Sequence, residues 1–145
     1  MGLDQYAYVA AKAGARDEYY EAEYGEDTSK KGTVPKPREI AYWRKHPNLQ
    51  GWMESCWKRK LHESNREEPD DSGWGSAFNG VELELTFEDI EQLEKDVTEG
   101  RLPSTSGFFF GNNSDTHYRQ HDLEFIRQAR ADLFCGLKVF YNSSW

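Results

Sequence analysis

Two cations and an amide stand close together around a proline in Tyr42-Trp43-Arg44-Lys45-His46-Pro47-Asn48. A helix opened by Pro47 would present unpaired N–H groups and the positive end of its dipole. Arg44, Lys45 and the Asn48 side chain would complete a seat for phosphate or another small anion. The same residues also fit a plainer reading, with the cations on a solvated face and Asn48 as a helix cap. Large aromatics beside positive charge suit a stacked base or sugar ring, which makes the cluster a candidate binding surface.

A second cluster is Gly107-Phe108-Phe109-Phe110-Gly111, set between polar runs. Each ring can remove roughly 150–250 Å² of surface from water. In an extended segment alternate rings face opposite ways. Phe108 and Phe110 would then enter a core while Phe109 walls a cleft, or the reverse. The chain ends on Trp145, which docks either into the core or along that cleft. The candidate ligand-binding set is therefore Arg44, Lys45, Asn48, Trp52, Ser106, Phe109, Tyr118 and Trp145.

Catalytic chemistry is poorly represented. His117 and His121 lie four residues apart, a spacing that lets two imidazoles on one helix reach a metal, with Asp115 and Asp122 nearby. No glutamate lies between them to act as a base. The segment Ser104-Thr105-Ser106 has hydroxyls but no nucleophile-elbow pattern around it. Glu82 and Glu84 occupy the solvent phase of a strand pattern, and Glu88, Asp89, Glu91 and Glu94 the outer face of a helix pattern. No phosphate-cradling glycine run is present. These residues favour a non-enzymatic protein that needs no cofactor.

Charge is unevenly spread over the 145 residues, whose net charge is −8. Residues 37–66 carry seven Lys/Arg against three acids, whereas residues 67–99 carry twelve acids against one lysine. A general nucleic-acid binder is usually basic overall, so direct nucleic-acid binding is not expected. The acidic stretch could imitate nucleic acid towards a basic protein, or simply be a solvated helix face. Cys56 and Cys135 stand alone, without a CxxC spacing, as in proteins of reducing compartments. No apolar run approaches the ~20 residues of a membrane span. Tyr6 stands where a myristoylation signal needs Ser or Thr.

The elements that would position these residues form a single α+β domain over 1–145. Its small mixed or antiparallel sheet should carry three to four helices, packed on one face. Leu3 to Ala10 reads as a strand, with Leu3, Gln5, Ala7 and Val9 on one side and Asp4, Tyr6 and Tyr8 on the other. Residues 11–36 read as a long loop or weak hairpin, and their tyrosines could serve an interface between copies in a homo-oligomer. Helices are expected over 37–46 and 48–62, then a mobile acidic linker over 63–79. A strand follows over 80–85. Thr86 should cap a helix with Asp89 as its capping-box partner, and Gly100 should end it. The phenylalanine block supplies a short strand. A last helix starts at Ser114 or Asp115 and closes at Gly136, before a strand over 138–142.

Four blocks in this order carry a resemblance: Met1-Gly2-Leu3-Asp4-Gln5-Tyr6; Tyr42-Trp43-Arg44-Lys45 with Asn48 and Trp52; Leu102 to Gly111; and Tyr141 to Trp145. Together they resemble a small family of phage and prophage proteins often labelled "phosphoglycerate kinase". That two-lobed enzyme is several times longer than this chain. The resemblance implies a phage accessory protein acting in the host-cell cytoplasm. The function expected is counter-defence, by sequestering a nucleotide-type or other small anionic ligand. One alternative is an acidic inhibitor of a host defence nuclease such as a CRISPR effector. The other is a small phosphodiesterase or hydrolase using His117, His121 and Asp122.

Overall fold

The computed structural model describes residues 2–67, 77–107 and 109–145. Its frame is a four-stranded antiparallel sheet in the order β2-β1-β4-β3, built from β1 (Asp4–Ala10), β2 (Arg38–Arg44), β3 (Leu83–Leu85) and β4 (Lys138–Ser144). Four helices accompany it: α1 (Ala15–Tyr24), α2 (Pro47–Glu63), α3 (Phe87–Thr98) and α4 (Asp115–Phe134). This is an α+β domain.

Period-two alternation sets the two faces of the sheet. Ala7 and Val9 of β1, Ala41 and Trp43 of β2, Leu83 and Leu85 of β3, and Val139 and Tyr141 of β4 enter one core. Leu49, Met53 and Trp57 of α2, Ile90, Leu93 and Val97 of α3, and Phe125, Ile126 and Ala129 of α4 fill the same core. Their spacing of three and four residues is that of helices with one buried stripe. At the start of α3, Thr86 and Asp89 exchange both hydrogen bonds of a capping box.

Three expectations change. Residues 37–46 form no helix: 38–44 are strand β2, held along its length by β1. Both patterns put Ile40 and Trp43 in favourable places, but only the strand buries Ala41 with Trp43 while Tyr42 and Arg44 face outward. Within 11–36, where a loop or weak hairpin is expected, residues 15–24 are helix α1 and Thr28–Lys30 a single 3-10 turn. Gly14, at φ 78°, makes the reversal that starts α1. This helix meets the sheet face opposite the core, so the helices are not all on one face. Finally, Phe109 and Phe110 lie in a turn closed by the Phe110 N–H on the Gly107 carbonyl, and not in a strand. Phe108, and residues 68–76 of the expected mobile linker 63–79, lie outside the described residues.

The β2 edge is covered by side chains of α4. The Tyr118 hydroxyl accepts from the Arg44 N–H at 2.9 Å and donates to the Arg44 carbonyl at 2.8 Å. The His121 Nε2–H donates to the Tyr42 carbonyl at 2.7 Å. Satisfying these edge groups removes a template on which another strand could pair.

Candidate functional site

The segment after β2 gathers part of the expected site. Lys45 adopts a left-handed backbone (φ 55°), uncommon for a residue with a side chain. Its N–H donates to the Leu3 carbonyl, and its carbonyl accepts from the Ser114 hydroxyl at 3.1 Å. The Lys45 side chain runs between Gly2 and Gly111, where added Cβ atoms would lie 3.0–3.1 Å from it. The Phe109 carbonyl takes the Leu3 N–H. Arg44, Lys45, Phe109 and Tyr118 are thus neighbours at one corner of the sheet.

Most polar groups at that corner already have internal partners. Arg44 is paired with Asp4 at 2.8 Å, and Asp4 also accepts from the Tyr42 hydroxyl. Asn48 is buried: its amide donates to Asp115 at 3.0 Å and its oxygen accepts from the Thr105 N–H at 2.9 Å. The first turn of α2 is closed over, with Pro47, Asn48, Leu49 and Gln50 all buried. Ser106 is exposed beside Thr105. Trp52 turns away, its indole N–H on Asp96 of α3 at 2.8 Å. Trp145 packs edge-on against Phe110, not Phe109, with ring centroids 5.0 Å apart.

Beneath that corner lies a buried polar row that sequence patterns did not single out. His46 Nε2 is 2.8 Å from Asp122, whose second oxygen accepts from the Trp43 indole N–H at 2.8 Å. His46 is fully buried and stacks on Tyr118. Gln5 holds its main chain at both the N–H and the carbonyl. The row joins β1, β2, α2 and α4 and serves to lock them together.

His117 and His121 share a helix but not a task. His121 spends its Nε2–H on the Tyr42 carbonyl, and His117 is exposed beside Tyr118. Asp122 faces the core. Among the described residues no group of three or more His, Cys, Asp or Glu could hold a metal ion. Of the acidic segment, Glu88, Glu91 and Glu94 lie on the outer side of α3, where Arg130 is paired with both Glu91 and Glu94. Asp89, expected outside, is instead buried on Arg59 and Lys60.

An aromatic cleft opens on the sheet face opposite the core. A cleft of about 140 Å³ is walled by Tyr6 and Tyr8 of β1 and by Arg16, Tyr19 and Tyr20 of α1, with Lys36 and Glu39 at its rim. Alternation along β1 points both tyrosines to the face opposite the core, where Tyr6 is half-buried. Tyr8 is closed off, stacked on Phe140 with ring centroids 5.6 Å apart. Helix α1 lays Arg16 over them. The guanidinium carbon sits 5.9, 5.4 and 5.3 Å from the ring centres of Tyr6, Tyr8 and Tyr20. Such cation–π contacts hold an arginine without neutralising it. Neither Arg16 nor Lys36 has a carboxylate partner among the described residues. Glu82 anchors the entrance of α1, accepting from the Tyr8 hydroxyl and from the Gly14 N–H.

Both sheet tyrosines are neutral phenols at ordinary pH. Burial, then the hydrogen bond and charge of Glu82, push Tyr8 well above the usual phenol range. Burial, then the charges of Asp4 and Glu39, raise Tyr6, against the opposing influence of Arg16. The cleft therefore offers guanidinium donors for an anion beside the partly exposed rings of Tyr6 and Tyr20. The signal for it was the Tyr6/Tyr8 alternation. Arg16, Tyr19 and Tyr20 join the cleft only because residues 15–24 are helical, where the sequence pattern predicts a loop or weak hairpin with its tyrosines at an interface.

No helix among the described residues is long and apolar enough to cross a membrane. Comparisons with protein-family models, with curated proteins and with solved structures find no match to this chain.

Proposed function

We propose that this protein is a non-enzymatic binding protein that sequesters a small planar anion of nucleotide type, held in the cleft between β1 and α1. One observation carries the reading: three tyrosine rings hold the Arg16 guanidinium, which has no carboxylate partner among the described residues, and the rings of Tyr6 and Tyr20 stay partly exposed beside it. Sites for small molecules combine apolar and aromatic walls with few, well-placed polar groups. A base would lie against the exposed Tyr20 ring, and a phosphate would take the guanidinium donors, which suit its geometry.

The aromatic and basic character expected of the ligand site is thus assigned to Tyr6, Tyr8, Arg16 and Tyr20. Arg44, Asn48 and Trp52 are engaged elsewhere. The resemblance to phage proteins supports counter-defence within a host cell, by removal of a nucleotide signal, as the role of this binding. Exposed Tyr20 and Tyr24 offer a surface for self-association.

Thermal-shift and calorimetric titration with nucleoside monophosphates provide the test. Saturable binding should raise Tm, and Arg16→Ala and Tyr20→Ala should each weaken binding at least tenfold. The ligand should be recovered chemically intact after the protein is denatured. Absence of binding, or equal binding by both variants, refutes the cleft as the site. A chemically altered product refutes the non-enzymatic assignment.

A further inference from the structure

The tyrosine cleft has a neighbour. A second cleft of about 270 Å³ is lined by Val9, Ala11, Ala15, Val34 and Pro35, and shares Lys36 and Pro37 with the first. Small-molecule sites usually span about 300–1,000 Å³. Neither cleft reaches that range alone, while the two together do. Their characters differ: the first is aromatic and carries Arg16, the second is aliphatic with Lys12 at its edge. Lys12 is already paired with Glu18 at 2.8 Å. Lys36 stands at the junction, exposed and without a carboxylate partner among the described residues.

Resting on the reading of the tyrosine cleft as a nucleotide site, we propose that the ligand is bipartite: a dinucleotide whose linking phosphate lies at Lys36. One base lies in the tyrosine cleft against the exposed ring of Tyr20, beside Arg16. The second base lies on Val34, Pro35 and Ala15. The geometry favours this occupant because an unpaired cation separates two ring-sized spaces, matching the charge order of base, phosphate, base. A mononucleotide would leave the aliphatic cleft unfilled. A purely apolar ligand would leave both Arg16 and Lys36 without a counter-charge.

Calorimetry with AMP and GMP against the linear dinucleotides pApA and pGpG tests this. For at least one base, the dinucleotide should bind ten times or more tighter than its mononucleotide. Lys36→Ala should cut dinucleotide affinity at least fivefold. Val34→Asp, which places a charge in the second cleft, should remove the dinucleotide's advantage over its mononucleotide. Equal affinity of mono- and dinucleotide, or an advantage that survives both substitutions, overturns the bipartite ligand but leaves the tyrosine cleft intact as a site. Failure of all four probes to bind overturns both readings together.

Discussion

The Nε2 of His46 lies 2.8 Å from an oxygen of Asp122, and both side chains are closed off from solvent. Asp122 also accepts from the Trp43 indole, so one carboxylate satisfies two buried donors from the β2–α2 junction. Asp122→Ala would leave both donors unpaired in the core, where removing one partner of a buried pair costs about 3–5 kcal/mol. Urea unfolding should show a loss of that order, with Trp43→Phe losing less. A loss below about 1 kcal/mol would mean that the row is not a lock.

Asp89 makes the fold sensitive to acid. Burial acts to raise its pKa, but the Lys60 hydrogen bond and charge and the Thr86 contacts outweigh it, leaving the carboxyl below its ordinary 3.8. Arg59 adds a further contact at 2.9 Å. Because the folded value lies below the unfolded one, this contribution is whole above pH 3.8 and fades as pH falls through the lower folded value. Asp89→Asn should be less stable by about 2 kcal/mol at neutral pH. The gap between wild type and variant should narrow below pH 3.8. A gap independent of pH would exclude this ionic role.

The two cysteines should differ sharply in reactivity. Burial, then the charge of Asp89, pushes the Cys56 thiol up to about 11, while Cys135 is exposed beyond the end of α4. Thiolate is the reactive form, so native protein at pH 8 should titrate one thiol rapidly with a disulfide reagent. Denaturation should expose the second. Rapid reaction of both in the native state would contradict the burial of Cys56.

Gly51 is needed for close approach. A Cβ there would lie 1.8 Å from Thr105 Oγ1, in the segment that Asn48 ties to α2 through the Thr105 N–H. Gly51→Ala should cost about 1–3 kcal/mol by overpacking. Thr105→Gly should recover part of that cost when combined with it. Additive effects in the double-mutant cycle would show that the two residues do not meet.

Several elements were legible from residue pattern alone. Thr86 and Asp89 announced the start of α3, and the alternation of Val81, Leu83 and Leu85 announced a strand, which the structure confines to Leu83–Leu85. Leu123, Ile126, Ala129 and Leu133 marked α4 as a helix, but its buried positions are Asp122, Phe125, Ile126, Ala129 and Asp132, with Leu123 and Leu133 half-buried. Strand β2 was not legible, because seven residues with Ile40 and Trp43 three apart satisfy helix and strand alike. Its identity is decided by β1, some 30 positions earlier in the chain. Helix α1 was hidden for another reason. Ala22 is the one residue it buries, so it lacks the apolar stripe that betrays an amphipathic helix.

By itself, the order of residues determined the α+β class and the stripes of α2 and α3, because those follow from local periodicity and burial. It also made clear that aromatic rings and cations abound in this chain. Which ring meets which cation was a matter for tertiary structure alone. The sheet closes Trp43, His46 and Asn48 inward and turns Tyr6 and Tyr8 to the face opposite the core, and the reversal at Gly14 then carries Arg16 across them. Contacts between residues distant in sequence, in this case Tyr6 and Arg16 on separate elements, leave no periodic trace in the chain.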